Sequence, residues 1–249
     1  MTDHPPSSLQ ANLVFHTTRW TMVMRAKGDA PEARAALGDL CEAYWTPVYR
    51  FLKREGRNDD DSRELTQEFF SRLLAGGALE RADPAKGRFR CYLLGALKHF
   101  LADNRRAEGR QKRGGDVVIE SIETSGSGTS SGLSILDPVA EVSDAYFDRH
   151  WALAVMGRGL DAVRDSFAQA GKTAQFEVLK PWLIGDVESL SQADASAALG
   201  ISTGAAKVAI HRMRQQFGEA IRQEIAGTVE TEEEVAGELR YLIEALQAR

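Results

Sequence analysis

The chain has 249 residues, 43% of them hydrophobic and 27% charged, with 31 Lys and Arg set against 36 Asp and Glu for a net charge of −5. That balance excludes a disordered or fibrous chain, and no apolar run approaches the roughly 20 residues needed to cross a bilayer. The opening MTDHPPSSLQ has no basic segment followed by an apolar one, so the expectation is a cytoplasmic protein with no membrane insertion.

Helical periodicity recurs from about residue 31 to the C-terminus and strand signals are nearly absent, which predicts an all-α protein. Residues 1–30 form an N-terminal extension containing FHTTRWTMVMRAKG. Two small helical domains follow, at 31–113 and 146–226, joined by a flexible linker over 114–145 whose SIETSGSGTSSGLSILDP is rich in Gly and Ser.

Within the first domain, Leu65, Phe69 and Leu73 turn inward on one helix and leave Glu64, Gln67, Glu68 and Ser71 on a polar face. Further along, GRFRCYLLGALKHFLADNRRAEGRQKRGG concentrates positive charge. From Lys86 to Arg113 there are nine Lys and Arg against Asp103 and Glu108, a local charge of +7 that leaves −12 for the rest of the chain. A basic segment on an acidic protein points to a directed anion-binding surface. Projected at 100° per residue, Phe89, Leu93, Ala96, Leu97, Phe100, Leu101 and Asn104 share one side. Lys98, His99, Ala102, Arg105 and Arg106 lie opposite and continue into Arg110, Lys112 and Arg113. Few acids are interleaved to neutralise them, and the run ends in glycines, where backbone can follow a phosphate chain. Phe89 and Tyr92 could stack on an unpaired base or pack in the core.

In the second domain, LSQADASAALGISTGAAKVAIHRMRQQFGEAI has the layout of a helix-turn-helix. A short helix at about 191–199 meets a turn at Gly200, and Ser202 caps a longer helix. Ala206, Ile210, Met213 and Phe217 make the inner stripe of that helix. Lys207, Val208, His211, Arg212, Arg214 and Gln215 face outward, a mixture suited to phosphates and base edges in a major groove. The last piece, 227–249, is acidic, and its Val235, Leu239, Leu242, Ile243 and Leu246 are spaced for an amphipathic helix that docks on its own protein or on a partner.

Catalysis finds no support: there is no Walker-type loop, no HExxH, and no Ser, His and acid arrangement. His4, His16, His99, His150 and His211 are scattered without metal-ligand spacing, and Cys41 and Cys91, the only cysteines, read as reduced structural thiols. Neither a cofactor nor a metal is expected.

In motif order, most of residues 31–226 resembles a bacterial RNA polymerase sigma factor of the sigma-70 superfamily, in its extracytoplasmic-function (ECF) group. YWTPVYRFLKREGRNDDDSRELTQEFFSRLL (44–74) is similar to that family's regions 2.1 and 2.2, the basic helix to regions 2.3 and 2.4, and the helix-turn-helix to region 4.2. The resemblance implies that Glu64, Gln67, Glu68 and Ser71 dock on the β′ clamp of core RNA polymerase. It implies that Arg88, Arg90, Tyr92, Lys98, His99, Arg105, Arg106, Arg110, Lys112 and Arg113 serve the promoter −10 element as melted single strand. It also implies that Ser202, Thr203, Lys207, Val208, His211, Arg212 and Arg214 serve the −35 element as duplex, the linker letting the two modules reach their separate elements. Three positions depart from the family pattern: His99, Ala209 and Ala195. An anti-sigma factor is the regulator the resemblance implies; the alternative, read from the charge of the C-terminal extension itself, is self-masking of a basic surface by that acidic piece. The alternative reading is a helix-turn-helix regulator that acts without polymerase; a third is a helical adaptor that binds no DNA.

Overall fold

A computed structural model describes residues 31–75, 89–111, 138–184, 191–227, 229 and 231–247. The described residues are helical, in the order α1 (Pro31–Arg54), α2 (Asp59–Ala75), α3 (Phe89–Gln111), α4 (Pro138–Gln169), α5 (Thr173–Leu179), α6 (Pro181–Ile184), α7 (Gln192–Leu199), α8 (Thr203–Ala226) and α9 (Glu232–Gln247). The N-terminal extension and most of the expected linker lie outside them, but residues 138–145, read as linker, form the start of α4. None of the described helices is long and apolar enough to cross a membrane.

Local chemistry sets the helix ends. The Asn58 side chain accepts the Asp61 amide at 2.8 Å and so caps α2, whose first turn carries Asp59, Asp60 and Asp61 against the positive end of the helix dipole. Thr231 and Glu234 form a reciprocal capping box at α9, with amide contacts of 3.2 and 3.1 Å.

Inside α1, Pro47 has no N–H to offer, which leaves the carbonyl of Ala43, four residues back, without its helical donor. Arg158 of α4 supplies the missing bond: its Nη1 donates to that carbonyl at 3.0 Å, while its Nε holds Glu224 of α8 at 2.6 Å. A local defect in one helix thereby becomes a contact that ties three helices together.

Those contacts belong to a wider packing. The α4 residues Phe147, Trp151 and Val155 are buried with Val48, Phe51 and Leu52 of α1, and the Phe51 and Phe147 rings meet edge-on at 6.0 Å. On α3, Phe89 meets Tyr44 at 5.1 Å, and Phe100 meets Phe69 of α2 at 5.6 Å. Gly159 lets α4 and α8 approach closely, since a Cβ there would stand 3.0 Å from Ile221 and 3.3 Å from Phe217. Buried apolar residues of α1 to α9 form one continuous cluster. Two halves expected to flank a tether are packed against each other through α1 and α4, because α4 carries an apolar stripe on the side facing each.

Candidate functional site

Three surfaces hold the residues singled out from the sequence. On α2, Phe69 and Leu73 are buried and Leu65 is half-buried, while Glu64, Gln67 and Ser71 are exposed and Glu68 is half-buried beside Arg72. Ser62 and Thr66 are fully buried; each hydroxyl bonds to the carbonyl four residues back, which satisfies it within the helix. Glu64 and Gln67 line a shallow depression of about 500 Å³ completed by Trp45, Thr46, Tyr49, Arg50 and Arg63. Trp45 is 39% exposed and stacks on Phe70 at 5.9 Å, so a broad apolar ring stands beside two polar side chains. The Tyr49 hydroxyl donates to Asp59, and this bond, helped by Lys53, holds the Asp59 carboxyl below its usual range.

The basic helix α3 places Phe89, Leu93, Leu97, Phe100 and Leu101 inward, with Ala96 and Asn104 half-buried. His99, Arg105 and Arg106 are exposed and Lys98 is half-buried; Tyr92, half-buried beside Phe89, packs against the core. Arg88, Lys112 and Arg113 lie outside the described residues, and Arg110 lies in the last turn of α3.

The expectation that few acids neutralise this helix needs correction. Two of its partners come from other elements: Lys98 pairs with Asp144 of α4 at 2.5 Å and Arg105 with Glu55 beyond the end of α1, while Arg106 pairs within α3 with Asp103 at 3.0 Å. Arg90 departs most from an outward-facing donor. It is 5% exposed, bonded to Asp148 of α4 and 3.5 Å from Glu238 of α9, with its guanidinium 4.2 Å from the Tyr241 ring centre and 5.0 Å from that of Trp151. Burial works against its charge, but Asp148 and Glu238 outweigh it and hold the guanidinium protonated. The Tyr241 hydroxyl donates to the other oxygen of Asp148; burial, then that bond, pushes its pKa up to about 12.

The helix-turn-helix is built by α7 and α8. Ser191 accepts the Asp194 amide and Ser202 the Ala205 amide, each at 3.2 Å, so both helices start on a capping serine. Gly200 ends α7 in the left-handed region at φ 63°, and the next amide, of Ile201, reaches back to the Ser196 carbonyl at 3.0 Å. Ala206, Ile210, Met213 and Phe217 are buried, and Ser202, Thr203, Lys207, Val208, His211 and Arg212 are exposed along one run. Arg214 instead donates to the Trp182 carbonyl at 3.2 Å and braces the turn formed by α6. No three His, Cys, Asp or Glu gather into a metal-binding group among the described residues. The Cys41 thiol is half-buried, which raises its pKa, and Cys91 is exposed.

Residues 40–111, covering the C-terminal part of α1 together with α2 and α3, match the family model Sigma-70 region 2. The chain is also similar to the ECF RNA polymerase sigma factor SigE of Mycolicibacterium smegmatis, 26% identical over 211 residues that span 85% of this chain and 71% of that protein. Both likenesses support a sigma factor of the sigma-70 family, in its ECF group. No solved structure matches it.

Within the chain the region 2 match holds both the polar face of α2 and the basic helix α3. Reasoning from the sequence missed Trp45 and Tyr49, because they are on α1 and join Glu64 and Gln67 only when α1 and α2 pack. The signal available was a Trp and a Tyr four residues apart, hence on one helix face, ahead of the acidic start of α2. Arg90 was misjudged for the opposite reason: an arginine beside an apolar stripe reads as a rim residue until the carboxylates that enclose it are known.

Proposed function

We propose that the chain is a sigma factor of the ECF group, that it docks on the clamp of core RNA polymerase through the outward face of α2, and that it directs initiation by binding promoter DNA at two separate surfaces. Glu64, Gln67, Glu68 and Ser71 make the polymerase contact, with Trp45 and Tyr49 supplying the apolar floor beside them. An exposed tryptophan bordered by polar groups is the composition of an interface centre. The arrangement of α2, apolar on its inner side and polar on its outer side within the region 2 match, is the observation that carries this reading.

Lys98, His99, Arg105 and Arg106 then hold phosphates of the melted −10 strand, and Arg110 extends the same helix toward Lys112 and Arg113. Lys207, Val208, His211 and Arg212 of α8 enter the major groove of the −35 duplex, where Val208 meets a thymine methyl and the cations bind phosphates or base edges. Ser202 and Thr203 stand at the start of that helix, where amides and hydroxyls suit a phosphate. Arg214 serves this surface indirectly, by bracing α6 against α8.

The test is binding of the purified chain to bacterial core RNA polymerase, with a Glu64→Arg, Glu68→Arg double variant beside it. Wild-type binding that the variant loses supports the proposal. Equal binding by both removes α2 from the interface.

A further inference from the structure

Four observations meet on one face of α3. Arg90, enclosed in the free chain, and Lys98, both among the cations that the resemblance assigns to the DNA strand, are held by Asp148 and Asp144, which lie one turn apart on α4. The two helices run in opposite directions along this contact, since the earlier base pairs with the later acid. The clamp over it comes from α9: Glu238 is 2% exposed and lies 3.5 Å from the Arg90 nitrogen Nη2, beside the Nη1 that bonds Asp148. Tyr241 lays its ring on that guanidinium and bonds Asp148 through its hydroxyl. The helix itself is seated by Val235, Leu242 and Ala245 in the core and by Arg149, which donates to the Leu246 carbonyl at 3.1 Å.

We propose that α4 is an internal substitute for the DNA phosphates and that α9 locks it in place, so that the free chain is closed to single-stranded DNA until α9 lifts. The proposal rests on the reading of α3 as the strand-binding surface and adds its regulation. It also relocates the masking acids. Of the acidic residues opening α9, Glu232 pairs with Arg222 of α8 rather than with α3, and the acids on Arg90 and Lys98 are Asp148 and Asp144 of α4 with Glu238 further along α9. Carboxylates and phosphates are both acceptors for guanidinium and ammonium groups, and the two cannot occupy the same donors at once. The closed contact therefore competes directly with the strand. Removing the lock frees two cations.

The experiment compares the full chain with a Glu238→Gln, Tyr241→Phe double variant, which leaves the apolar seat of α9 in place, and with a chain ending at Gly227. Each is titrated with a short mixed-sequence single-stranded oligodeoxynucleotide at several salt concentrations, and amide exchange is followed over α3 and α4. The lost charged hydrogen bonds should raise affinity for the oligonucleotide by at least about tenfold. Two freed cations should steepen the salt dependence by about 1.4 logarithmic units. Exchange over residues 89–101 should quicken, and Lys98→Ala in the released variant should take back about half of the added slope. Unchanged exchange and unchanged affinity in the double variant overturn the lock, whatever the shortened chain does. If the wild-type holoenzyme still melts promoter DNA in that case, the strand-binding reading of α3 survives without it. Faster exchange with no gain in DNA binding, in either released form, overturns that reading and the masking with it.

Discussion

Replacing Arg158 with Met would expose how a proline in one helix is compensated by another. The substitution keeps most of the aliphatic stem but removes the donor to the Ala43 carbonyl and the charge facing Glu224. Ala43 is 3% exposed, so its carbonyl would be left buried without a partner, at a cost of about 1–3 kcal/mol. The half-buried pair with Glu224 adds up to about 1 kcal/mol. A loss of about 2–3 kcal/mol is therefore expected from urea unfolding, or a drop in Tm of roughly 6 °C for a chain of this size. The decisive comparison repeats Arg158→Met in a Pro47→Ala background. There residue 47 regains an N–H and can bond the Ala43 carbonyl within α1, so the penalty should shrink to about 1 kcal/mol, the Glu224 contribution. The coupling between the two sites is then about 1–2 kcal/mol. Equal penalties in both backgrounds, within the roughly 0.5 kcal/mol expected of independent sites, would refute the link between Pro47 and Arg158.

Gly159→Ala should destabilise the chain by about 1–3 kcal/mol, because the added methyl meets Ile221 and Phe217 across a close approach of α4 and α8; a thermal melt unchanged from wild type would show that α8 shifts aside freely. His150, stacked on Tyr146 at 4.2 Å, has its pKa lowered by burial and then by nearby Arg50. The unfolded imidazole therefore takes up its proton first as pH falls below about 6.5, and stability should decline from there until the folded imidazole protonates as well. Urea midpoints measured between pH 7.5 and 5 should show that decline, and His150→Gln should flatten it.

The amino-acid sequence by itself determined what depends on neighbours a few residues away. The all-α class, the inward stripes of α2, α3 and α8, the turn at Gly200 and the cap at Ser202 follow from a 3.6-residue period and from backbone rules that act over one or two turns. The tertiary structure decided which helices meet, and with that which charges stay available. Arg90 and Lys98 look alike in the sequence, yet one is enclosed and the other half-open, because Asp148 and Asp144 reach them from 58 and 46 residues further along the chain. The same holds for α9. Its apolar spacing predicts Ile243 at the contact, but Ile243 is 54% exposed and the buried stripe runs Val235, Glu238, Leu242 and Ala245. A carboxylate can occupy that stripe only because a guanidinium waits opposite it. Periodicity locates a helix face to within about one residue, whereas pairing across the core depends on shape and charge from distant segments, and only the assembled fold brings those together.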